Sequence, residues 1–136
     1  VERAVITGQD KLSMNFKDNF DFAVGATALD KKKYVKVLKD TAINTLEVDA
    51  MSIADIFDEF QIDSCDLMKV DCEGSEYNNL FNCPDEYFKR IKNIVIEVHD
   101  WIPKEEGTPA ELIELLESKN YKTEFIKNEI LWCQRV

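Results

Sequence analysis

The sequence contains little glycine, proline or cysteine. The arrangement of the few glycines and cysteines argues against several kinds of binding site. It holds 4 glycines, 3 prolines and 4 cysteines. The glycines form neither a Gly-x-Gly-x-x-Gly turn nor a phosphate-binding loop, so no recognisable nucleotide cradle is present. The cysteines form no Cys-x-x-Cys pair, which argues against structural zinc and against a disulfide framework. We therefore expect reduced, mostly buried thiols at Cys65, Cys72, Cys83 and Cys133.

Positive charge is also in deficit, with 17 Lys and Arg against 27 Asp and Glu. The net charge of -10 argues against binding nucleic acid or an anionic membrane through a basic face. The lysines at residues 31–39 are interpreted as a solvated edge. No apolar run approaches the ~20 residues that span a bilayer, and the start shows no signal-peptide pattern. We expect a cytoplasmic protein without nucleic-acid or membrane partners.

The length of 136 residues, with 45% hydrophobic and 32% charged residues, suits one folded domain. The sequence begins with Val1 beside a predicted strand, without a methionine or a polar lead-in. We therefore expect a single partial domain cut from a longer protein. It would consist of a β-rich segment at residues 1–50 and a core at residues 51–136.

Hydrophobic periodicity changes between these two parts. The first part has strand patterns at residues 3–7, 11–16, 34–38 and 43–48. The last two of these could pair as a β-hairpin insertion, and residues 17–33 are expected to form a long loop. In the second part, Ser52 with Asp55 marks the start of a helix. Thr108, followed by a proline, marks another.

Strands alternate with these helices after residue 51. They are predicted at residues 67–70, 93–98, 121–126 and 129–136, with two short helices at residues 73–81 and 84–91. The last two strands are separated by two residues, which is the spacing of a tight antiparallel hairpin. This order predicts an α/β fold with a mainly parallel sheet flanked by helices, ending in the hairpin.

Polar side chains follow two of the predicted strands at the points where they end. Asp71 and Glu73 follow the strand at residues 67–70, and Glu97 and His99 end the strand at residues 93–98. If the strands are parallel neighbours, their carboxyl ends open into one crevice and lie roughly 5 Å apart. Such a cluster can position a hydroxyl group, abstract its proton or hold a divalent cation.

Each of these residues also has a structural interpretation. A lone histidine is more often a surface or capping residue than a catalyst. The acidic residues Glu73 and Glu76 are favoured at a helix start by the helix dipole. Lys69 in an apolar strand is either an ion-pair partner or a site residue. Asp71 is the strongest candidate because a carboxylate that ends a buried strand needs partners to offset its desolvation.

Residues 66–76 read Asp-Leu-Met-Lys-Val-Asp-Cys-Glu-Gly-Ser-Glu. They resemble the hallmark D-L-L-K-I-D-V-E-G-A-E of the FkbM-type methyltransferases. Residues 4–10, 44–57 and 91–99 are similar to strands and a helix that flank this motif in the family. The resemblance implies a Rossmann-like class I methyltransferase sheet. It also implies transfer of a methyl group from S-adenosylmethionine to a hydroxyl of a sugar, glycan or other small metabolite.

The same resemblance implies roles for the residues of the motif. Asp71, Glu73, Glu97 and His99 are the expected catalytic residues, and Lys69, Asp71 and Cys72 are expected to contact the cofactor. His99 or a carboxylate could act as general base, or the acids could bind a divalent cation. The pattern assigns no residue as a metal ligand.

The family's glycine-rich loop and ribose-binding acid precede the region that this sequence resembles. We therefore expect a carboxyl-terminal fragment of the methyltransferase domain, inactive alone, whose apolar strand at residues 67–70 has an unpaired edge that could form a homodimer. The alternative is a non-catalytic, degenerate domain that acts in protein interaction or assembly.

Overall fold

The computed structural model describes residues 3–5, 11–17, 43–72, 74–99, 107–127 and 129–136. Several predictions fall outside these ranges: Glu73, the strand at residues 34–38 and almost all of the loop at residues 17–33. The hairpin insertion that depends on residues 34–38 therefore stays a prediction.

The described amino-terminal residues form a three-stranded sheet of β1 (Arg3–Val5), β2 (Lys11–Lys17) and β3 (Ile43–Met51). β3 lies in the centre, parallel to β1 and antiparallel to β2. The β-rich character predicted for residues 1–50 is confirmed for the part that is described.

The rest of the described chain alternates helices and strands, as predicted. In order, the elements are α1 (Ile53–Glu59), β4 (Met68–Val70), α2 (Glu76–Phe81), α3 (Asp85–Phe88), β5 (Asn93–Glu97), α4 (Pro109–Ser118), β6 (Tyr121–Ile126) and β7 (Ile130–Arg135).

The starts of α1 and α4 follow from local side-chain chemistry. Ser52 and Asp55 form a reciprocal capping box, in which each side chain accepts a hydrogen bond from the backbone N–H of the other. The Thr108 hydroxyl accepts from the backbone N–H of Glu111, and Pro109 is the first residue of α4. Both predicted helix starts are confirmed.

The second sheet has the strand order β4-β5-β7-β6. Only β4 and β5 are parallel, whereas β7 is antiparallel to both β5 and β6. The prediction of a mainly parallel sheet is therefore wrong for the described residues, although the terminal hairpin is confirmed. The reason is that β7 turns back from β6 and inserts beside β5, so the hairpin contributes two antiparallel contacts to one sheet.

The strand that precedes Asp71 is shorter and more exposed than predicted. It begins at Met68, and Leu67 is 56% exposed. Met68 is half-buried, and Val70 alone within β4 is fully buried. β4 lies at the edge of its sheet in the described part of the chain, where β5 is its one neighbour. An edge strand is covered less than a central one, and this explains the error.

The core lies where the helices pack against β5, β6 and β7. Its fully buried side chains are Tyr77, Leu80, Phe88, Ile91, Ile94, Ile96, Leu112, Leu116, Leu131 and Cys133. The Tyr121 hydroxyl lies within hydrogen-bonding reach of the backbone carbonyls of Phe88 and Ile91, at 2.9 and 2.7 Å. This contact ties β6 to the residues around α3.

The four cysteines are free thiols. Cys83 and Cys133 are buried, whereas Cys65 and Cys72 are half-buried. Among the described helices, none is both long and apolar enough to cross a membrane.

Candidate active site at the ends of β4 and β5

The parallel pairing of β4 and β5 brings acidic side chains together. Val70 pairs with Ile96, so Asp71 and Glu97 follow at the same end of the two strands. Ligand atoms of Asp71, Glu97 and His99 all lie within 4.8 Å of one another. The predicted convergence is thus observed for three of the four expected residues, and Glu73 lies outside the described residues. We call these three residues the acid–imidazole cluster.

Asp71 forms an ion pair at the rim of the acid–imidazole cluster. The Lys69 ammonium donates a hydrogen bond of 2.7 Å to its carboxylate. This hydrogen bond and the charge of Asp71 raise the pKa of Lys69, with a smaller contribution from Glu97. The side chains of Lys69 and Asp71 are 62% and 30% exposed. The ammonium group of Lys69 therefore lies at the surface and is paired with a carboxylate. Both are expected for a lysine in an otherwise apolar strand, because a buried, unpaired charge would be costly.

Glu76, the first residue of α2, is buried beside the acid–imidazole cluster and contacts it through His99. It is only 1% exposed. Its carboxylate accepts hydrogen bonds from the backbone N–H groups of Cys72 and Gly74, at 2.9 and 3.0 Å. The same carboxylate lies 3.1 Å from Nδ1 of His99. These donors offset the cost of burying its charge.

The turn between β4 and α2 makes this geometry possible. Gly74 has a φ of 111°, in the region that favours glycine. The turn folds the chain back, so that the carboxylate of Glu76 faces the backbone of Cys72. From sequence, Glu76 was explained only as a helix-start charge. The signal that could have identified it is an acidic residue just after a glycine turn, close to a strand end that carries other acids.

His99 is the single histidine of the chain and is 11% exposed. Its Nδ1 contacts the carboxylate of Glu76, so the imidazole lies close to that buried acid as well as to the carboxylates of Asp71 and Glu97. A carboxylate in this position fixes the orientation of an imidazole ring.

Cys72 follows Asp71 and has an unreactive thiol. Burial, with a further contribution from the charge of Glu76, raises its pKa to about 11. It is therefore protonated at neutral pH, and a thiol is a poor nucleophile compared with a thiolate. Its predicted contact with a cofactor stays a prediction, as does that of Lys69.

The acid–imidazole cluster offers two carboxylates and an imidazole at one edge of a sheet. This set can orient a hydroxyl group by accepting its hydrogen bond, and it can receive a proton. Oxygen and imidazole nitrogen atoms at this spacing could also surround a divalent cation. The charge of Asp71 is already paired with that of Lys69. This favours binding of a hydroxyl group over binding of a divalent cation.

Comparison with known proteins places the site within a recognised domain. The sequence profile of the methyltransferase FkbM domain matches residues 4–123. The chain is also similar to 31-O-demethyl-FK506 methyltransferase FkbM of Streptomyces tacrolimicus, with 31% identity over 97 residues. That alignment covers 71% of this chain and 35% of the relative, so the chain spans about a third of the relative's length. No solved structure gives a significant match.

Proposed function

Because this chain belongs to the FkbM family of methyltransferases, we propose that it carries the acceptor side of an S-adenosylmethionine-dependent O-methyltransferase. The acceptor is a hydroxyl group of a sugar, glycan or other small metabolite. The observation that supports this role is the convergence of Asp71, Glu97 and His99 at the carboxyl ends of two parallel strands. Open α/β sheets bind their ligands at this end.

Two further observations support the finer parts of this proposal. The relative is named for 31-O-demethyl-FK506, and its name therefore describes methylation at an oxygen. The strand order β4-β5-β7-β6, with its antiparallel hairpin, supports a Rossmann-like methyltransferase sheet. The family match favours this enzyme over the non-catalytic interaction domain.

The residues after β4 suit the proposed cofactor. S-adenosylmethionine, when bound, supplies an electrophilic methyl group on a sulfonium. The carboxylate of Asp71 is partly exposed and can accept hydrogen bonds from ammonium or hydroxyl groups. Cys72 presents a neutral, half-buried thiol that suits packing rather than chemistry. Lys69 would act through Asp71 by holding its carboxylate.

The acid–imidazole cluster would act on the acceptor. A hydroxyl group is a poor nucleophile until its proton is accepted by a base held within hydrogen-bonding reach. Asp71 and Glu97 would orient the acceptor molecule by accepting hydrogen bonds from its neighbouring hydroxyl groups, and His99 would accept the hydrogen bond of the reacting hydroxyl and then its proton. Groups held in this way lower the entropic cost of reaching the reactive geometry.

The test of this function is the variant Asp71→Ala in the full-length protein. We expect methyl transfer from labelled S-adenosylmethionine to a panel of sugars and small alcohols to fall by about 100-fold or more, within the range of one acid–base group. The free energy of unfolding should change by less than about 1 kcal/mol, because the pair with Lys69 is exposed.

Asp66→Ala is the matched control. Asp66 is also an exposed aspartate paired with a lysine, Lys92, but it lies outside the acid–imidazole cluster. This variant should keep full activity. Full activity of Asp71→Ala would refute the site assignment, and failure of the full-length protein to bind S-adenosylmethionine in calorimetry would refute the proposed function.

A further inference from the structure

We propose that Glu76 is a positioning residue that acts through His99. It holds the imidazole in the Nδ1–H tautomer, so that Nε2 receives the proton of the acceptor hydroxyl. This inference rests on the proposed function and assigns a role to a residue outside the acid–imidazole cluster.

The carboxylate of Glu76 is fixed by the backbone. One oxygen accepts from the N–H of Cys72 and lies 3.1 Å from Nδ1 of His99, and the other accepts from the N–H of Gly74. Both backbone donors belong to the turn that joins β4 to α2. Because the carboxylate is held by main-chain groups on two sides and is 1% exposed, its direction toward His99 is set before any ligand binds.

A purely structural role does not account for all of these contacts. A helix-start charge gains from the dipole without being buried. Capping the N–H groups of the turn explains the bonds from Cys72 and Gly74, but not the third contact with the imidazole. A carboxylate buried beside the single histidine of the chain indicates that Glu76 sets the tautomer and the orientation of that imidazole ring.

The chemistry follows from the two ring nitrogens. When Nδ1 carries a hydrogen and donates it to Glu76, the lone pair of the neutral ring lies on Nε2. The hydroxyl proton passes to Nε2 as the hydroxyl oxygen forms its bond to the methyl carbon, and the sulfur keeps the electron pair of the bond that breaks. The charge of Glu76 then stabilises the imidazolium, which later returns its proton to solvent.

The first test needs neither cofactor nor acceptor. With ¹⁵N-labelled histidine, the chain gives one set of imidazole signals, because it contains a single histidine. At a pH where the ring is neutral, we expect Nδ1 to carry the hydrogen and Nε2 to be unprotonated. A neutral ring protonated at Nε2 would overturn the proposal. This result is independent of whether the protein methylates anything, so it separates this inference from the proposed function.

The second test is Glu76→Gln in the full-length protein, with Glu114→Gln as the matched control on the exposed side of α4. We expect kcat to fall by about 100-fold or more, with the KM for S-adenosylmethionine changed by less than about threefold. The variant should also lose the Nδ1–H tautomer. Glu114→Gln should change neither quantity. Unchanged kcat, or a retained tautomer, would overturn the proposal.

His99→Asn separates positioning from a direct role. Asparagine keeps a donor near the place of Nδ1 but has no Nε2. If Glu76 acts only through His99, adding Glu76→Gln to His99→Asn should lower kcat by less than about threefold. A full additional loss would show that Glu76 acts independently and would overturn the proposal. If Glu76→Gln does not fold, the ¹⁵N measurement of the His99 tautomer in the unaltered protein still tests the proposal.

Discussion

Two carboxylates of the site already have partners within the protein itself. Lys69 lies 2.7 Å from the carboxylate of Asp71, and Glu76 lies 3.1 Å from Nδ1 of His99. At the scale of single residues, these pairs determine what the site can still bind. A divalent cation that used Asp71 would have to compete with an ammonium group for the same carboxylate.

Removal of metal tests this reasoning. We expect treatment of the full-length protein with EDTA to change the rate of methyl transfer by less than about twofold, because Asp71 is already neutralised by Lys69. Lys69→Met is the comparison variant, since it frees the carboxylate and should increase binding of Mn²⁺ measured by electron paramagnetic resonance. Activity that is lost with EDTA and restored by Mn²⁺ or Mg²⁺ would assign the acid–imidazole cluster to a cation.

The site was predictable where it depends on strand ends and not where it depends on a turn. Asp71, Glu97 and His99 meet because parallel neighbours end at one edge of a sheet, which is a general rule. The inward position of Glu76 depends on the backbone of Gly74, with its positive φ. A pattern of polar and apolar residues does not show which way such a turn carries the next side chain.

At the scale of elements, α1 shows how much a helix start contributes. Ser52 donates its backbone N–H to the carboxylate of Asp55 at 2.7 Å, and its hydroxyl accepts from the N–H of Asp55 at 3.1 Å. The bonds from the backbone and then from the side chain of Ser52 lower the pKa of Asp55. A carboxyl group with a lowered pKa stabilises the fold above its ordinary pKa, and this contribution is lost as the pH falls.

Removing the cap should therefore have a pH-dependent effect. We expect Ser52→Ala to lower the free energy of unfolding by about 1 kcal/mol at pH 7. The difference from the unaltered chain should shrink as Asp55 is protonated below the ordinary aspartate pKa of 3.8. Urea titrations at pH 7 and pH 3 measure this, with Ser64→Ala at an exposed serine as control. An equal loss at both pH values would show that the hydrogen bond from the Ser52 hydroxyl to the carboxylate of Asp55 contributes nothing to stability.

Helix starts were predictable from sequence because they depend on side chains three residues apart, as at Ser52 and Thr108. The antiparallel pairing of β7 with β5 was not, because it depends on strands that are distant in the chain. The alternation of helices and strands is the same whether the hairpin joins the sheet in a parallel or an antiparallel way. The exposure of Leu67 was missed for a similar reason, since an apolar run does not distinguish an edge strand from a central one.

At the scale of the whole molecule, burial sets the response to alkaline pH. Burial raises the pKa of Cys83 to about 11 and that of Cys133 to about 12. It also raises the pKa of Tyr77 and Tyr121 to about 12. The unfolded chain ionises these groups at lower pH than the folded chain, so the fold loses stability as the pH rises.

The expected loss begins above the ordinary pKa of a thiol, 9.0, and continues toward pH 12. Each unit of pKa difference corresponds to about 1.4 kcal/mol, so the buried groups together should destabilise the chain by several kcal/mol. Urea unfolding at intervals from pH 8 to 11 measures this slope. Cys133→Ala, although less stable at every pH, should show a shallower slope; an unchanged slope would contradict the contribution of that thiol.

The position of β7 between β5 and β6 bears on how the protein is made. A ribosome delivers β5, then β6, then β7, yet among the described strands β6 pairs with β7 alone, so it stays unpaired in this sheet until β7 has emerged. Until then the inner edges of β5 and β6 both offer unpaired backbone groups to any passing strand. Closure of this sheet therefore waits for β7, and a nascent chain that is interrupted between β6 and β7 leaves two strand edges open to aggregation and to capture by chaperones.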